Sequence, residues 1–296
     1  MYRCRRLCMI RMHKVLLIPN ISKQIPFEEI EKIIGRWERN GCNLYTLEEC
    51  APYLRGRIPV TAVEETEIWD AACVLGGDGS IIDAAHRLYG RNIPIVGINF
   101  GHLGYLTEME TGEISLIDRI AAGEYTLDHR MMLNIEILDP DGNVRKRQTA
   151  LNDAVLTNGP VSRLLSFDII CSGILMQTCR ADGIIAATPT GSTAYSMSAG
   201  GPVLDPSLEC FCLTPICPHT LNSRPVIVRS DSEICFTDIN ARNTSVYLTS
   251  DGREATELMT GESVRITRSD WSADLIRVQD GGFLMALQRK LSGQAG

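Results

Sequence analysis

Several familiar signatures are missing from this sequence of 296 residues. It has no Walker A motif with its phosphate-binding lysine, which excludes the P-loop class as far as motifs can. None of its glycine clusters has the G-x-G-x-x-G spacing, so the fingerprint of ordinary dinucleotide-binding dehydrogenases is absent as well. No run of residues is long and apolar enough to span a bilayer, and we therefore expect no membrane partner.

The chain also lacks an excess of positive charge. Its net charge is −7 and its pI is about 5.3, which gives no indication of a nucleic-acid-binding surface. Its 11 cysteines are odd in number and irregularly spaced, unlike a secreted disulfide framework, so we expect reduced thiols in the cytoplasm. Cys210, Cys212, Cys217 and His219 lack a C-x-x-C pair, and the alternation of the first two favours one face of a strand over a zinc site.

The first residues are basic and lack the apolar core of a signal peptide. We expect residues 1–11 to be disordered and dispensable. A length near 300 residues is enough for two ordinary domains, each with a core of its own.

Strand and helix patterns alternate over roughly the first 125 residues. Apolar runs predict strands at 13–18, 71–75 and 94–99, and apolar stripes of helical spacing predict helices at 27–40, 80–89 and 113–121. Such alternation predicts a doubly wound, Rossmann-like α/β sheet with its ligand at the carboxyl ends of the strands. Asp78 and Asn99 both lie at such ends.

The pattern changes after Leu127. Alternating residues at 132–138, a turn at 139–142 and a return at 144–155 predict a β-hairpin, and short strand patterns follow up to residue 277. We therefore predict an α/β domain over 12–126 and a β-sandwich-like domain over 127–280. A short helix at 283–291 begins a tail, 281–296, that packs back on the first domain.

Three glycines surround one carboxylate in Gly76-Gly77-Asp78-Gly79-Ser80, between a strand and a helix. Bare backbone N–H groups and a helix N-terminus favour an anion there. A carboxylate beside phosphate is useful if it contacts magnesium or takes a proton from an attacking hydroxyl. The alternative is a tight turn in which Asp78 only caps the helix.

A second stretch, residues 182–202, leads a strand into a loop rich in hydroxyl groups and glycine. Such groups suit a diphosphate or a ribose. The alternative is a turn whose Ser and Thr side chains cap their own short helix. The presence of both stretches in one chain favours a shared nucleotide site.

These residues resemble the NAD kinases, which phosphorylate the 2′-hydroxyl of the adenosine ribose of NAD. Six blocks carry the resemblance, in the order of the family: residues 76–80, 97–106, 151–153, 182–202, 214–221 and 250–253. The first block is shared with lipid kinases of the diacylglycerol type, whereas the 182–202 block is far more specific. The family's fold agrees with the two domains predicted above.

The resemblance implies a role for each matching position. Asp78 would be the general base, and the donor phosphates would lie at Gly76, Gly77, Gly79 and Ser80. Asp78 and Gly79 would also contact NAD. The other positions implied to bind NAD are Tyr105, Asn152, Asp153, Arg163, Arg180, Asp182, Thr190, Thr193, Ala194, Tyr195, Ser196, Met197, Ser198 and Arg253. For His102 and His219 a structural hydrogen bond is favoured over catalysis.

Three of these residues depart from the family pattern. Asp153 replaces the usual Glu and is one methylene shorter, Tyr105 replaces Phe at a position that would lie against adenine, and Arg253 replaces Gln. Arg163 and Arg180 have the alternative of being ordinary solvated arginines.

The resemblance further implies ATP or another phosphoryl donor, Mg²⁺ or another divalent metal, and a homodimer or homotetramer whose contacts complete the NAD site. Two other functions stay open: a lipid or sugar kinase that shares only the glycine turn, and a dinucleotide-binding protein without catalysis.

Overall fold

A computed structural model describes residues 11–62, 68–101, 104–159, 164–219, 223–241, 245–279 and 281–292. Of the residues discussed above, those outside the described part of the chain are Arg163, His102, Leu103, 220–221, 293–296 and all of 1–11 except Arg11.

Five helices and seventeen strands are assigned in these residues. The helices are α1 (Phe27–Arg39), α2 (Asp78–Arg87), α3 (Ile117–Ala121), α4 (Tyr195–Ser198) and α5 (Gly282–Leu291). The strands are β1 (Lys14–Pro19), β2 (Asn43–Thr46), β3 (Ala71–Gly76), β4 (Ile95–Asn99), β5 (Met109–Glu110), β6 (Thr126–Leu138), β7 (Val144–Ala150), β8 (Asp153–Asn158), β9 (Leu165–Cys171), β10 (Ile174–Ala181), β11 (Gly183–Ala187), β12 (Cys210–Ile216), β13 (Val226–Arg229), β14 (Ile234–Ala241), β15 (Val246–Ser250), β16 (Ala255–Leu258) and β17 (Ser263–Arg277).

The chain divides into two compact units. The first contains Met1–His129 and Ala273–Gly296, and the second contains Arg130–Ser272. Strand β17 leaves the second unit at Ser272 and continues in the first from Ala273.

The first unit is built on a parallel sheet in the order β2-β1-β3-β4, and Leu275 of β17 pairs with Ile95 of β4. Strands β1, β3 and β4 are buried along almost their whole length, because parallel sheets are covered on both faces. Helix α1 buries its predicted apolar stripe of Ile30, Ile33, Ile34 and Trp37. The α/β prediction for this part of the chain is confirmed.

The end of β17 and the residues after it belong to the first unit. Ile276 and Val278 are part of its buried core. Arg277 and Glu108 are both almost fully buried, and their charged groups lie 3.2 Å apart. The backbone N–H groups of Val278 and Gln279 both donate to Glu108, each at 2.7 Å. Helix α5 follows these residues in the chain.

The second unit contains two antiparallel arrangements of strands. One sheet has the order β13-β12-β11-β8-β15-β16. The other contains β10-β9-β14-β17 and the β6–β7 hairpin. A single buried core takes side chains from both, including Phe167 and Phe236 from one sheet and Leu156 and Phe211 from the other. The predicted β-rich, sandwich-like domain is confirmed.

Two details of the second unit differ from the sequence prediction. The strand predicted over 144–155 is two strands, β7 and β8, with a turn at residues 151–152. The last residues of the region predicted to hold short strands, up to residue 277, form one 15-residue strand, β17. Cys210 and Cys212 lie on β12, as their alternation predicted. None of the helices described is long and apolar enough to cross a membrane.

Candidate active site

The predicted donor loop lies at the carboxyl ends of the parallel strands in the first unit. Gly76 ends β3, Gly77 connects it to helix α2, which begins at Asp78, and Gly79 is already helical. The Ser80 hydroxyl is buried and accepts a hydrogen bond from the Asn20 side chain at 2.8 Å. Because Asn20 follows β1, this bond ties two strand ends together at the glycine turn.

The carboxylate of Asp78 is held by backbone N–H groups of a neighbouring loop. Oδ2 accepts from Tyr105 at 2.7 Å and Oδ1 from Leu106 at 3.0 Å. A Cβ atom on Gly104 would lie 1.9 Å from Oδ1, so this loop needs glycine at that position. An ionised carboxylate accepts about four hydrogen bonds. Asp78 is therefore fixed in place and retains acceptor positions for a proton or a metal.

Lys23 is a cation at the glycine turn that sequence reasoning missed. Its Nζ donates to the carbonyl of Phe100 at 3.3 Å, and it lies 3.4 Å from the Cβ position of Gly77 and 2.8 Å from that of Gly101. A cavity of about 450 Å³ opens here, lined by residues 23–26, 99–101, 110 and 111. The only sequence signal for Lys23 is its position between β1 and α1, where a doubly wound sheet places its ligand.

Tyr105 is packed against the tail helix. The Lys290 Nζ lies 3.9 Å from the centre of its ring, and the ring of Phe283 lies 5.8 Å away. Burial, and next the charge of Asp78, raise the pKa of the Tyr105 hydroxyl. An adenine ring at Tyr105 would compete with these two side chains of α5.

In the second unit, three strand ends meet at one edge of the β13–β16 sheet. Asp153 begins β8 and pairs with Ala187 at the end of β11, while Ser250 at the end of β15 pairs with Ala154. Antiparallel pairing therefore brings Asn152 and Asp153 next to the loops that follow β11 and β15.

Asp251, directly after β15, binds the turn that contains Asn152 and Asp153. Its carboxylate accepts the backbone N–H groups of Leu151 at 2.7 Å, Asn152 at 2.7 Å and Asp153 at 3.0 Å. Asp153 itself is only 4% exposed. Burial, and in second place the charge of Asp251, raise the pKa of the Asp153 carboxyl to about 7.

The loop after β11 packs on the same turn. The Thr188 N–H donates to the carbonyl of Asn152 at 2.8 Å, and the Thr188 hydroxyl donates to the carbonyl of Leu151 at 2.6 Å. A Cβ atom on Gly191 would lie 2.1 Å from the Asn152 carbonyl oxygen, so only glycine permits this approach. Two of the predicted binding blocks, 151–153 and 182–202, thus meet at this edge.

The residues of this loop that were predicted to bind NAD differ in their exposure to solvent. Tyr195 and Met197 are 45% and 40% exposed, Ser198 is exposed, and Thr193 and Ala194 are half-buried. Ser196 is fully buried, and its hydroxyl lies 2.8 Å from that of Thr214 on β12. Any contact of Ser196 with a ligand would have to use its backbone, since its side chain is bonded within the sheet.

Arg130 is a second residue that sequence reasoning missed. Its side chain is 1% exposed, and Nη1 donates to the hydroxyl of Thr190 at 3.2 Å. Thr190 is itself 5% exposed. Its hydrogen bond with Arg130 therefore places a buried cation beside the loop after β11. Arg130 is a lone arginine before an apolar run, and no motif marks it.

Arg180 and Asp182 lie at the opposite end of β11 from the other predicted NAD residues. Asp182 precedes β11, whereas Thr188 follows it. At about 3.3 Å per residue, their Cα atoms are about 20 Å apart. Asp182 is half-buried there, and the carbonyl of Arg180 accepts the N–H of His219 at 2.8 Å. Arg253 is exposed and follows Asp251, on the side of Asn152.

Comparisons with known proteins agree with this arrangement. The model of the ATP-NAD kinase N-terminal domain matches residues 43–125, and that of the ATP-NAD kinase C-terminal domain matches residues 151–278. The NAD kinase of Symbiobacterium thermophilum is 40% identical over 286 residues, which are 95% of this chain and 100% of that protein. The NAD kinase of Moorella thermoacetica is 38% identical over 95% of this chain and 89% of its own length.

Two crystal structures share the fold. Yeast NADH kinase complexed with NADH has a TM-score of 0.86 at 22% identity, over 97% of this chain and 89% of the other. An NAD kinase from Archaeoglobus fulgidus in complex with ATP has a TM-score of 0.72 at 24% identity, over 94% of this chain and 98% of the other. Because family models match most of the sequence and relatives match nearly its whole length, the chain belongs to the NAD kinase family.

Proposed function

We propose that this chain transfers the terminal phosphate of ATP, or of another phosphoryl donor, to the 2′-hydroxyl of the adenosine ribose of NAD, which gives NADP. The observation that carries the proposal is the Asp78 carboxylate, held by the Tyr105 and Leu106 N–H groups at a glycine turn on the strand ends. The membership of the NAD kinase family supports the reaction type. The ligands of the two similar crystal structures, NADH and ATP, support the two substrates.

Asp78 is assigned the role of general base. Phosphoryl transfer needs little covalent chemistry from the protein, so positioning and charge neutralisation carry most of the rate enhancement. The 2′-hydroxyl must nevertheless lose a proton as it attacks, and a fixed carboxylate with free acceptor positions can receive it. The two backbone bonds hold the carboxylate while leaving it able to accept that proton.

The donor phosphates are assigned to the glycine turn and Lys23. Gly76, Gly77, Gly79 and Ser80 surround the N-terminus of the ten-residue helix α2. Backbone N–H groups at such a helix start favour negative charge. The Lys23 ammonium, beside Gly77, adds a full positive charge at the same place.

A divalent metal would enter with the donor. No cluster of three or more His, Cys, Asp or Glu suited to a metal occurs in the described part of the chain. Mg²⁺ is commonly held by one or two carboxylates together with substrate phosphates, and Asp78 at the glycine turn fits that pattern. When bound, the ion would neutralise charge on the donor phosphates.

The dinucleotide is assigned to the edge of the sheet in the second unit. Asn152 and Asp153 would bind it there, with the exposed residues Tyr195, Met197 and Ser198 along its length. Thr190, Thr193, Ala194, Ser196 and Arg253 complete the proposed set around this edge, and Arg163 stays a prediction from the sequence.

Arg180 and Asp182 suggest an oligomer. Since they lie at the far end of β11 from Asn152, we infer that they bind the NAD of a neighbouring copy in a homodimer or homotetramer.

We also place the enzyme in the cytoplasm, because all nine cysteines among the described residues are free thiols.

The test is an assay of NADP formation by purified protein with NAD and Mg²⁺, with ATP and polyphosphate as parallel donors. Wild type should form NADP, and Asp78→Asn should lose about 10²–10⁴-fold in kcat with its fold intact by circular dichroism. Asp83→Asn, an exposed change on the same helix, is the matched control and should keep its activity. Folded wild type that forms no NADP with either donor would overturn the proposal, and an active Asp78→Asn would remove Asp78 as the base.

A further inference from the structure

One carboxylate in the second unit accepts three consecutive backbone N–H groups. They belong to Leu151, Asn152 and Asp153, and the acceptor is Asp251, about a hundred residues further along the chain. In return the Asp251 N–H donates to the carbonyl of Asp153 at 3.0 Å. A hydrogen bond to a charged group is about twice as strong as one between neutral groups.

These bonds replace the pairing that an uninterrupted strand would have. The strand pattern predicted over 144–155 breaks at residues 151–152, where the N–H groups turn towards Asp251. From the other side, Thr188 bonds to the carbonyls of Leu151 and Asn152. The backbone of the 151–153 turn is therefore held on both its donor and its acceptor sides.

We propose that Asp251 is a positioning residue for NAD, whose carboxylate holds the 151–153 turn in the shape that presents the Asn152 and Asp153 side chains to the dinucleotide. The inference rests on the proposed function, since Asn152 and Asp153 are assigned to NAD there. Asp251 acts through the turn and needs no contact with the substrate itself.

The placement of a second carboxylate beside Asp153 supports a functional reason for Asp251. The two charges oppose each other, and the pKa of Asp153 is raised to about 7, by burial first and by Asp251 second. On the neighbouring strand β11, the residue paired with Asp153 is the uncharged Ala187. The loop after β11 contributes the hydroxyl groups of Thr188 and Thr190. The hydroxyl of Thr190 accepts a hydrogen bond from the Arg130 guanidinium. The acceptor that holds the turn therefore also acts, through its charge, on Asp153, a residue assigned to NAD.

The variant Asp251→Asn tests this role. Asparagine has one acceptor oxygen and one donor nitrogen, so whichever way its amide is turned, at least one of the three N–H groups faces a donor. We expect the KM for NAD to rise at least tenfold while the KM for ATP stays within twofold. Asp270→Asn, an exposed change on β17 of the same unit, is the matched control and should leave both values unchanged.

The pH dependence provides a second readout, because the charge of Asp251 acts on the carboxyl of Asp153. Removing the charge of Asp251 should lower the pKa of Asp153. The midpoint in the pH profile of kcat/KM for NAD should therefore shift to lower pH in Asp251→Asn and be absent in Asp153→Asn. An unchanged midpoint, or an equal loss in the parameters for both substrates, would overturn the proposal.

Amide hydrogen exchange in the wild-type protein covers the case in which the variant does not fold. The three N–H groups of residues 151–153 should exchange slowly in the absence of nucleotide, because they are bonded to Asp251 before NAD arrives. Fast exchange at all three would overturn the proposal. Wild type that forms no NADP would contradict the proposed function instead, so the two failures are distinguishable.

Discussion

Replacing Asp153 with asparagine should stabilise the protein at neutral pH and leave it unchanged in acid. The carboxyl of Asp153 is 4% exposed, and its pKa rises from 3.8 to about 7 in the folded chain. Between these two pH values the folded state holds a proton that the unfolded state has lost. The stability of wild type therefore falls as the pH rises through this window. Asparagine does not ionise, so the stability of the variant does not fall in this way as the pH rises.

The magnitude follows from the shift. About three pKa units at 1.36 kcal/mol each give about 4 kcal/mol at pH 8, where the shift has its full effect. Near pH 4 the two chains should be almost equally stable. At 2–4 °C for each kcal/mol, the gain corresponds to a rise in Tm on the order of 10 °C at pH 8.

The assay is thermal unfolding of wild type and Asp153→Asn in steps from pH 4 to pH 8. Asp270→Asn removes the same charge at an exposed position and should follow wild type at every pH. A difference between Asp153→Asn and wild type that is constant with pH would refute the reasoning, because it would mean that Asp153 titrates alike in the folded and unfolded chains.

Two further predictions concern the first unit. Gly104→Ala should lower kcat at least tenfold in the NADP assay, because its Cβ would lie 1.9 Å from the Asp78 carboxylate. The control Gly112→Ala, whose Cβ meets open space, should keep the wild-type kcat. Equal kcat values for the two variants would show that the loop adjusts without moving the base. Lys23→Met should raise the KM for ATP about tenfold, since it removes the cation beside the glycine turn, and Lys32→Met on the exposed face of α1 is the control. An unchanged KM for ATP would remove Lys23 from the donor site.

Local patterns predicted most of the architecture. The buried strands β1, β3 and β4 are continuous apolar runs, and α1 buries the stripe that its spacing predicted. Local patterns also located both glycine-rich loops, because their composition is unusual wherever they fold.

What could not be predicted depends on contacts distant in sequence. The break between β7 and β8 is produced by Asp251, which is 99 residues from Asn152, and nothing in the local alternation indicates it. The run of hydroxyls around Ser196 did not reveal which side chains face inward, since that depends on Thr214 of another strand. Lys23 and Arg130 are single cations without a motif, and only the assembled fold gives them a place.

The division of the first unit into two chain segments has a consequence for its synthesis. Its core includes Ile276 and Val278, and its sheet pairs β4 with Leu275, all from the segment after Ala273. At about 5–20 residues per second, a ribosome needs on the order of ten seconds to make the intervening residues. During that interval the nascent first unit lacks the partner of Ile95 on β4, while the contiguous second unit can complete its own core. The unit whose synthesis begins first is therefore the unit whose core is completed last. Its exposed apolar surface is what a chaperone at the ribosome would have to protect.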